Sequence, residues 1–380
     1  MKLYRVGVIA GLVASAVALA ACSSSKTTSS SSSPAAGGSS SASSSSSSSG
    51  APTCASGKLS AQGSTAQTNA INQWIKDYQS ACSSATITYN PTGSGAGVTG
   101  FNSGQNDFVG SDSALDPTKG EFAKATSRCG SAPMDLPMVV GPIAIAYKLS
   151  GVDNIVLDGP TIAKIFLGKI TLWDDAAIKA LNPSANLPMT KITVYYRSDS
   201  SGTTQNFERY LAASAPTIFT SKPDKDSSKA HFAGQGKAKS QGVSAAIAST
   251  EGAIGYDEFS FAVSGGLQTA AIDNGSGTPV QLSKDTASAA AQQATVASQG
   301  PGDLTLKLNY GEKAAGAYPI ILVTYELACT KYSSSSTGTL VKDFLNYAAT
   351  GGQASLAQLG YAPLPTQLQT QVEQSIATIS

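Results

Sequence analysis

The sequence predicts an α/β protein of two lobes with largely parallel sheets. Three observations lead there. Short β-like runs alternate with helical patterns from about residue 58 onward. The 380-residue chain is too long for one compact core. Four strand-like runs end in loops of Gly, Ser, Thr and Asp, and α/β folds place ligands at such strand ends.

Taken in order, "KLSAQG" (58–63) reads as a strand. The helix after it carries Ala66, Ala70, Ile71, Trp74, Ile75 and Tyr78 on one face. "TITYNPTG" leads into the helix-like "SGAGVTGFNSG", and "DFVGSD" ends a third strand. "PIAIAYKL" is almost continuously apolar, as in a strand buried on both faces. "TIAKIFLG" puts Ile162, Ile165 and Phe166 on a helical stripe. "KITVYYRSD" is a strand followed by the helix "TTQNFERYLAAS", and "GAIGYDEFSFA" and "YPIILVTYELAC" are further strands.

The first residues have a processing pattern: a basic start, "MKLYR", an apolar run, and small residues leading into Cys22 in "LAAC". This is a bacterial lipoprotein signal, which predicts cleavage after residue 21 and acylation of Cys22. Acyl chains anchor a protein without a membrane-spanning helix. The Ser-rich stretch that follows has no aromatic or branched aliphatic residue with which to build a core. As a tether of about 30 residues its mean reach is roughly 30 Å. The location implied is extracytoplasmic, on the outer face of the cell membrane. With a formal net charge of +1 and 13% charged residues, the chain lacks the concentrated basic face that nucleic acid needs.

Outside the cytoplasm, Cys54, Cys82, Cys129 and Cys329 imply two disulfides, for which three pairings exist. Cys54 and Cys82 flank a predicted strand–helix unit, which favours Cys54–Cys82 and leaves Cys129–Cys329. No zinc-like spacing is present, and neither metal nor cofactor is expected.

The four loops are "GSTAQ" (63–67), "GSGAG" (93–97), "GSDSAL" (110–115) and "RSDSSGTT" (197–204). The first N–H groups of a helix lack partners and carry partial positive charge, glycine lets an anion approach, and Ser or Thr adds a donor. One such loop alone is an ordinary N-cap. Four together, with "LDGPTIAKIFLGKITLWDD", "GAIGYDEF" and "YPI", resemble the phosphate-binding lipoproteins of Pst-type phosphate ABC transporters. Those belong to the type II periplasmic-binding-protein class, and the resemblance runs from about Lys58 to the C-terminus.

The resemblance implies a two-lobed fold with the ligand cleft between lobes. The expected spans are a signal peptide (1–21), a lipidated tether (22–53), lobe 1 (54–139), lobe 2 (140–262) and a return to lobe 1 (263–380). It implies a monomer that binds inorganic phosphate and delivers it to a membrane ABC permease. The ligand residues it assigns are Thr65, the backbone of Ala66, Ser94, Asp112, Arg197, Ser201, the N–H of Gly202, and Thr203. Ser64 either donates to the ligand or only caps. Asp199 is expected to hold the Arg197 fork, or else to be a solvated cap. Ala66 departs from the family, which often has Phe there, and Ser200 replaces a frequent glycine.

Arg197 suits a tetrahedral oxyanion because its fork makes bidentate charge-assisted bonds. Ionised Asp112 can only accept, so it would take the P–OH of phosphate and disfavour fully ionised sulfate. The alternatives are a receptor for sulfate or molybdate, and a secreted phosphatase using Ser200 or Ser201. Catalysis needs a base or metal ions, yet the one histidine, His231, lies in a polar stretch. No catalytic residue is assigned.

Overall fold

The structure is a computed structural model that describes residues 52–380. The signal segment, Cys22 and the tether through residue 51 lie outside the described residues. Thr53 and Ala55 are pinned: their N–H groups donate to the Asp343 carboxylate at 2.9 and 2.8 Å, and Tyr78 donates to it at 2.7 Å. No helix among the described residues is long and apolar enough to cross a membrane.

Nine strands form one mixed sheet. Eight of them lie in a row: β1 (Gly57–Gly63), β2 (Ala85–Pro91), β3 (Phe108–Ser111), β4 (Pro133–Lys148), β5 (Thr193–Arg197), β6 (Gln235–Lys237), β7 (Ala253–Glu258) and β8 (Ile321–Cys329). Their order is β2-β1-β3-β8-β4-β7-β5-β6, and a short strand at Gln268–Thr269 also pairs with β4. The pairs β1–β2, β1–β3, β5–β7 and β5–β6 are parallel. In the middle, β8 runs antiparallel to β3 and β4, and β4 antiparallel to β7. The parallel reading therefore holds at both ends and fails at the centre. The reason is that β4 carries the chain out of the first core and β8 carries it back, so the two must run in opposite senses.

Two hydrophobic cores flank the sheet. One gathers Leu59, Trp74, Phe108, Met138, Val323 and Phe344; the other gathers Ile145, Ile162, Trp173, Phe207, Ile254 and Leu322. Every residue of β4 up to Tyr147 is buried, which extends "PIAIAYKL" backward to Pro133. The expected return at 263 does not match these cores. Ala270, Ile272, Val280 and Leu282 pack in the second core, and Ala271–Asp273 pairs with Val156–Asp158. Residues of the first core resume at Ala287, while Tyr318, Ile320 and Leu322 belong again to the second. "GAIGYDEFSFA" is also shorter as a strand than expected. It stops at Glu258, whose carboxylate accepts from the Ser260 N–H and caps the helix Phe259–Ser264.

The register between β4 and β8 shifts between Thr324 and Tyr325, opposite Pro137. Proline has no N–H for the ladder, so it sits where pairing is interrupted, and such bulges re-aim side chains. Thr324 is one of those that reach the site.

Both expected disulfides are present, Cys54–Cys82 and Cys129–Cys329. The second ties the helix Glu121–Cys129 to the end of β8 across a sequence separation of 200, against 28 for the first. Loop-closure entropy predicts stabilisation of roughly 5 kcal/mol for the longer and roughly 3.5 kcal/mol for the shorter. Replacing Cys129 and Cys329 by Ala should therefore lower the urea midpoint more than replacing Cys54 and Cys82. Equal losses would contradict this ordering.

Candidate anion-binding site

The four glycine- and hydroxyl-rich loops meet between the two cores. β1 ends at Gly63, where φ is +132° and a Cβ would lie 2.0 Å from the Gly110 carbonyl oxygen, so only glycine fits. The Ser64 N–H donates to that same carbonyl at 2.8 Å. The helices α1 (Thr68–Ala81), α2 (Ser94–Asn102) and α3 (Gly202–Ser214) follow the first, second and fourth loops. The third loop leads into a 3-10 turn at Pro117–Lys119.

Asp112 is the centre of the arrangement and is 2% exposed. Its Oδ1 accepts from the hydroxyls of Ser64 and of Thr324, the latter at 2.9 Å. Its Oδ2 accepts from Ser94 at 3.2 Å and Thr203 at 3.1 Å. Those four hydroxyls come from the first loop, β8, α2 and α3. A carboxylate has about four acceptor positions, and all of them are filled. Ser94 also accepts the Asp112 N–H at 3.1 Å, and the Asn206 amide donates to the Asp112 carbonyl at 2.7 Å.

Arg197, at the end of β5, is 1% exposed. Its Nε and Nη2 meet the two oxygens of Asp199 at 2.9 and 2.5 Å. Asp199 thus takes one whole edge of the guanidinium. Nη1 donates to Ser240 at 3.3 Å. Burial alone would lower the Arg197 pKa, but the hydrogen bond and charge of Asp199 raise it on balance. The same pairing holds Asp199 below the usual carboxylate range despite its own burial.

Ser240 opens the helix α4 (Lys239–Ser249) and contacts Thr65: the hydroxyls are 3.0 Å apart, and the Ser240 N–H donates to Thr65 at 3.2 Å. Thr65 and Arg197, from opposite lobes, are thereby joined through one serine. The Lys239 N–H donates to Asp199 at 2.8 Å. Ser201 caps α3 by accepting the Thr204 N–H at 3.3 Å. Gly202 lies so close to the third loop that a Cβ would fall 2.7 Å from that of Asp112. Ala66 is fully buried and packs in the second core, and its N–H donates to Ser64 at 3.1 Å. Ser200 has no positive φ, and its carbonyl accepts the Gly95 N–H at 3.1 Å, clasping one lobe to the other.

Ser64, Thr65, Ala66, Ser94, Asp112, Arg197, Ser201, Gly202 and Thr203 are therefore buried close together, while Asp199 is half-buried and Ser200 exposed. Three participants were not read from the sequence. Ser240 had a faint signal as a serine opening a helical stretch. Thr324 sits in "YPIILVTYELAC", which reads as pure core, and so does Glu326. The sole histidine, His231, is exposed, and no group of three or more metal-ligating side chains occurs among the described residues.

Two buried carboxyls stand near the site without full hydrogen bonding. Glu326 is two residues beyond Thr324 on β8, and neither of its oxygens has a partner. Burial pushes it up to about 8, with the nearby Gln67 amide offsetting part and the charge of Asp112 adding to the rise. Asp257 is likewise lifted to about 8 by burial, with the Arg197 charge offsetting part.

A model of the PBP superfamily domain matches residues 28–351. Phosphate-binding protein PstS 2 of Mycobacterium tuberculosis is 42% identical over 337 residues, 87% of this chain and 90% of that one. Phosphate-binding protein PstS 3 of Mycobacterium leprae is 40% identical over 383 residues, 100% of each chain. Among solved structures, the ancestral soluble variant of the human phosphate binding protein aligns with a TM-score of 0.69 at 21% identity, covering 84% of this chain and 93% of that one. A phosphate-binding protein from Stenotrophomonas maltophilia aligns at 0.66 and 18% identity, with the same coverage. These two share the fold.

Glu326 carries a pH dependence. Its ordinary value of 4.5 applies to the unfolded chain, against about 8 when folded. The folded state holds the proton longer, so the stability linked to it is complete below pH 4.5 and is lost as pH rises toward 8. Glu326→Gln removes this loss and should raise stability at pH 8 by roughly 2–4 kcal/mol relative to its effect at pH 4. Urea unfolding at the two pH values reads it, and an identical effect at both would exclude a titrating Glu326.

Proposed function

We propose that this chain, which belongs to the PBP superfamily as one of its PstS-type phosphate-binding proteins, binds inorganic phosphate between its lobes and presents it to a membrane ABC permease for import. The observation that carries the reading is the enclosure of Asp112 and Arg197 by Ser64, Thr65, Ser94, Ser201 and Thr203 from both lobes, all of them buried. Relatives bearing the phosphate-binding name match over nearly the whole chain, which supports it.

The chemistry follows from a competition for hydrogens. The hydroxyls of Ser64, Ser94 and Thr203 each have one hydrogen, and each now gives it to Asp112. A buried oxyanion needs those same hydrogens, together with the Nη1 side of Arg197 and the N–H groups opening α2 and α3. Every hydroxyl that turns to the ligand deprives Asp112 of a bond. Phosphate that still carries a proton gives one back through its P–OH. Fully ionised sulfate cannot, and it leaves a buried acceptor unmet at a cost of several kcal/mol. Phosphate is thus chosen for its hydrogen, while the guanidinium and helix ends supply affinity. Ligand contacts from both lobes favour the joined arrangement, which a permease can recognise.

The family is one of substrate-binding transport proteins, and binding without turnover is the reading adopted. Calorimetric titration with phosphate and sulfate tests it. Phosphate should bind far more tightly, and Asp112→Asn should reduce the preference for phosphate more than it reduces phosphate affinity. Equal binding of the two anions by the parent protein would overturn the proposal.

At the other end of the chain, "LAAC" supports acylation of Cys22 and attachment to the outer face of the membrane, with the Ser-rich stretch as tether. Cys22→Ser should move the protein from the membrane fraction into the medium. Full retention in membranes would exclude the lipid anchor.

A further inference from the structure

Glu326 is a buried acid that makes no direct contact with the hydroxyl set around Asp112. In the register of β8 with β3 it stands opposite Gly110, and residues paired in this way face the same side of a sheet. Gly110 has no side chain there, and the Gln67 amide fills the space. A Cβ on Gly110 would collide with Gln67 Nε2 and fall 2.7 Å from the Tyr89 hydroxyl oxygen. Gln67 and Glu326 are both fully buried, and the amide lies close enough to act on the Glu326 carboxyl.

Three buried oxygens of this cluster have no hydrogen-bond partner: Gln67 Oε1 and both oxygens of Glu326. The neighbours fix which way the amide points. Tyr89 has one hydroxyl hydrogen and gives it to the Ser64 carbonyl at 2.8 Å. It therefore accepts from Gln67 Nε2, 3.0 Å away. That leaves Nε2 one further hydrogen and Oε1 none. An ionised Glu326 could accept the remaining hydrogen, but Oε1 would stay unmet beside a negative charge. A neutral Glu326 satisfies all three oxygens. Its O–H donates to Oε1, and its carbonyl accepts the second Nε2 hydrogen.

We propose that Glu326 is a positioning residue of the anion site that works only as the neutral acid, clamped to the Gln67 amide and acting through Tyr89 on Ser64. Ser64 opens the first loop and gives its hydroxyl to Asp112, so the clamp sets where that loop meets the anion. Tyr89 keeps its hydrogen, because burial holds it well above its ordinary range. Opposite Glu326, β3 and β4 present Gly110 and Leu136, neither of which titrates. The titratable groups facing it are Tyr89 on β2 and Asp112 on the third loop, and neither is a cation. Losing the proton therefore undoes the clamp and adds a negative charge behind an anion site. A bound anion in turn makes that proton harder to remove. Affinity is then full below the pH at which Glu326 titrates and falls as pH rises through it.

The clamp is read through phosphate binding and so rests on the proposed function, and the experiment separates the two. The full protein and its Glu326→Gln and Glu326→Leu variants are titrated with inorganic phosphate by calorimetry at about pH 6.5 and about pH 9.5. The change in charge of phosphate itself is common to all three. Glutamine can make the same paired bonds with Gln67 and cannot ionise, whereas leucine can make none. Between the two pH values the parent should lose about fivefold or more affinity beyond the loss in Glu326→Gln. At the lower pH, Glu326→Leu should bind about tenfold more weakly than Glu326→Gln. Infrared spectra of the ligand-free parent should show a protonated-carboxyl band that fades between these pH values and is missing from Glu326→Gln. Equal pH dependence in parent and Glu326→Gln, equal binding by the two variants at the lower pH, or a band unaffected by Glu326→Gln would each overturn the proposal. A parent protein that binds no phosphate at either pH would overturn the proposed function and this role of Glu326 together.

Discussion

The carboxylate of Asp112 is the interaction on which the rest of the site depends. It gathers hydroxyls from the first loop, from α2, from α3 and from β8, so both lobes and the strand that links them converge on two oxygen atoms. Charge-assisted hydrogen bonds of this kind are short-range and directional. They fix each hydroxyl within reach of the same small volume, which is the condition for enclosing a small anion without water. The crowding is visible in the backbone too: Gly202 has no room for a side chain because Asp112 and Ser94 occupy it.

Around that centre the electrostatics are finely opposed. Arg197 is the only side-chain cation among these contacts, and Asp199 already balances it. On the proposed function, a dianion there would be met chiefly by dipoles and hydrogens: the starts of α2, α3 and α4 and the hydroxyl set. Fixed dipoles suit this task because they add donors without adding net charge to a buried space. The nearby carboxyls Glu326 and Asp257 are compatible with an anion because burial holds them protonated toward neutral pH, with values of about 8. The site thus keeps its negative groups either protonated, paired to a cation, or saturated with hydroxyls.

The linking strands explain why these groups can meet at all. β4 and β8 belong to both cores, and the interruption of their pairing at Pro137 lies beside Thr324, which turns its hydroxyl to Asp112. Contacts at the rim reinforce the join. Ser200 accepts the Gly95 N–H, and Lys225 on the second lobe pairs with Glu121 on the first at 3.2 Å.

The sequence by itself determined the local pieces. The order of strand, glycine-rich turn and helix start was legible because these depend on neighbours within a few residues: glycine where φ is positive, Ser or Asp where a helix lacks partners, apolar spacing where a face is buried. The four loops could be located for that reason, and the pairing of Cys54 with Cys82 favoured, whereas Arg197, Asp112, Ser94 and the first-loop residues were assigned by the family resemblance. Only the tertiary structure decided what depends on residues far apart in the chain. Strand direction at the centre of the sheet, the repeated change of core beyond Leu282, and the arrival of Ser240, Thr324 and Glu326 at the site follow from register and crossing, not from local pattern. A threonine and a glutamate in an otherwise apolar strand look the same in sequence whether they face a ligand or a core. Which one they face is set by the strand opposite, and no nearby residue records it.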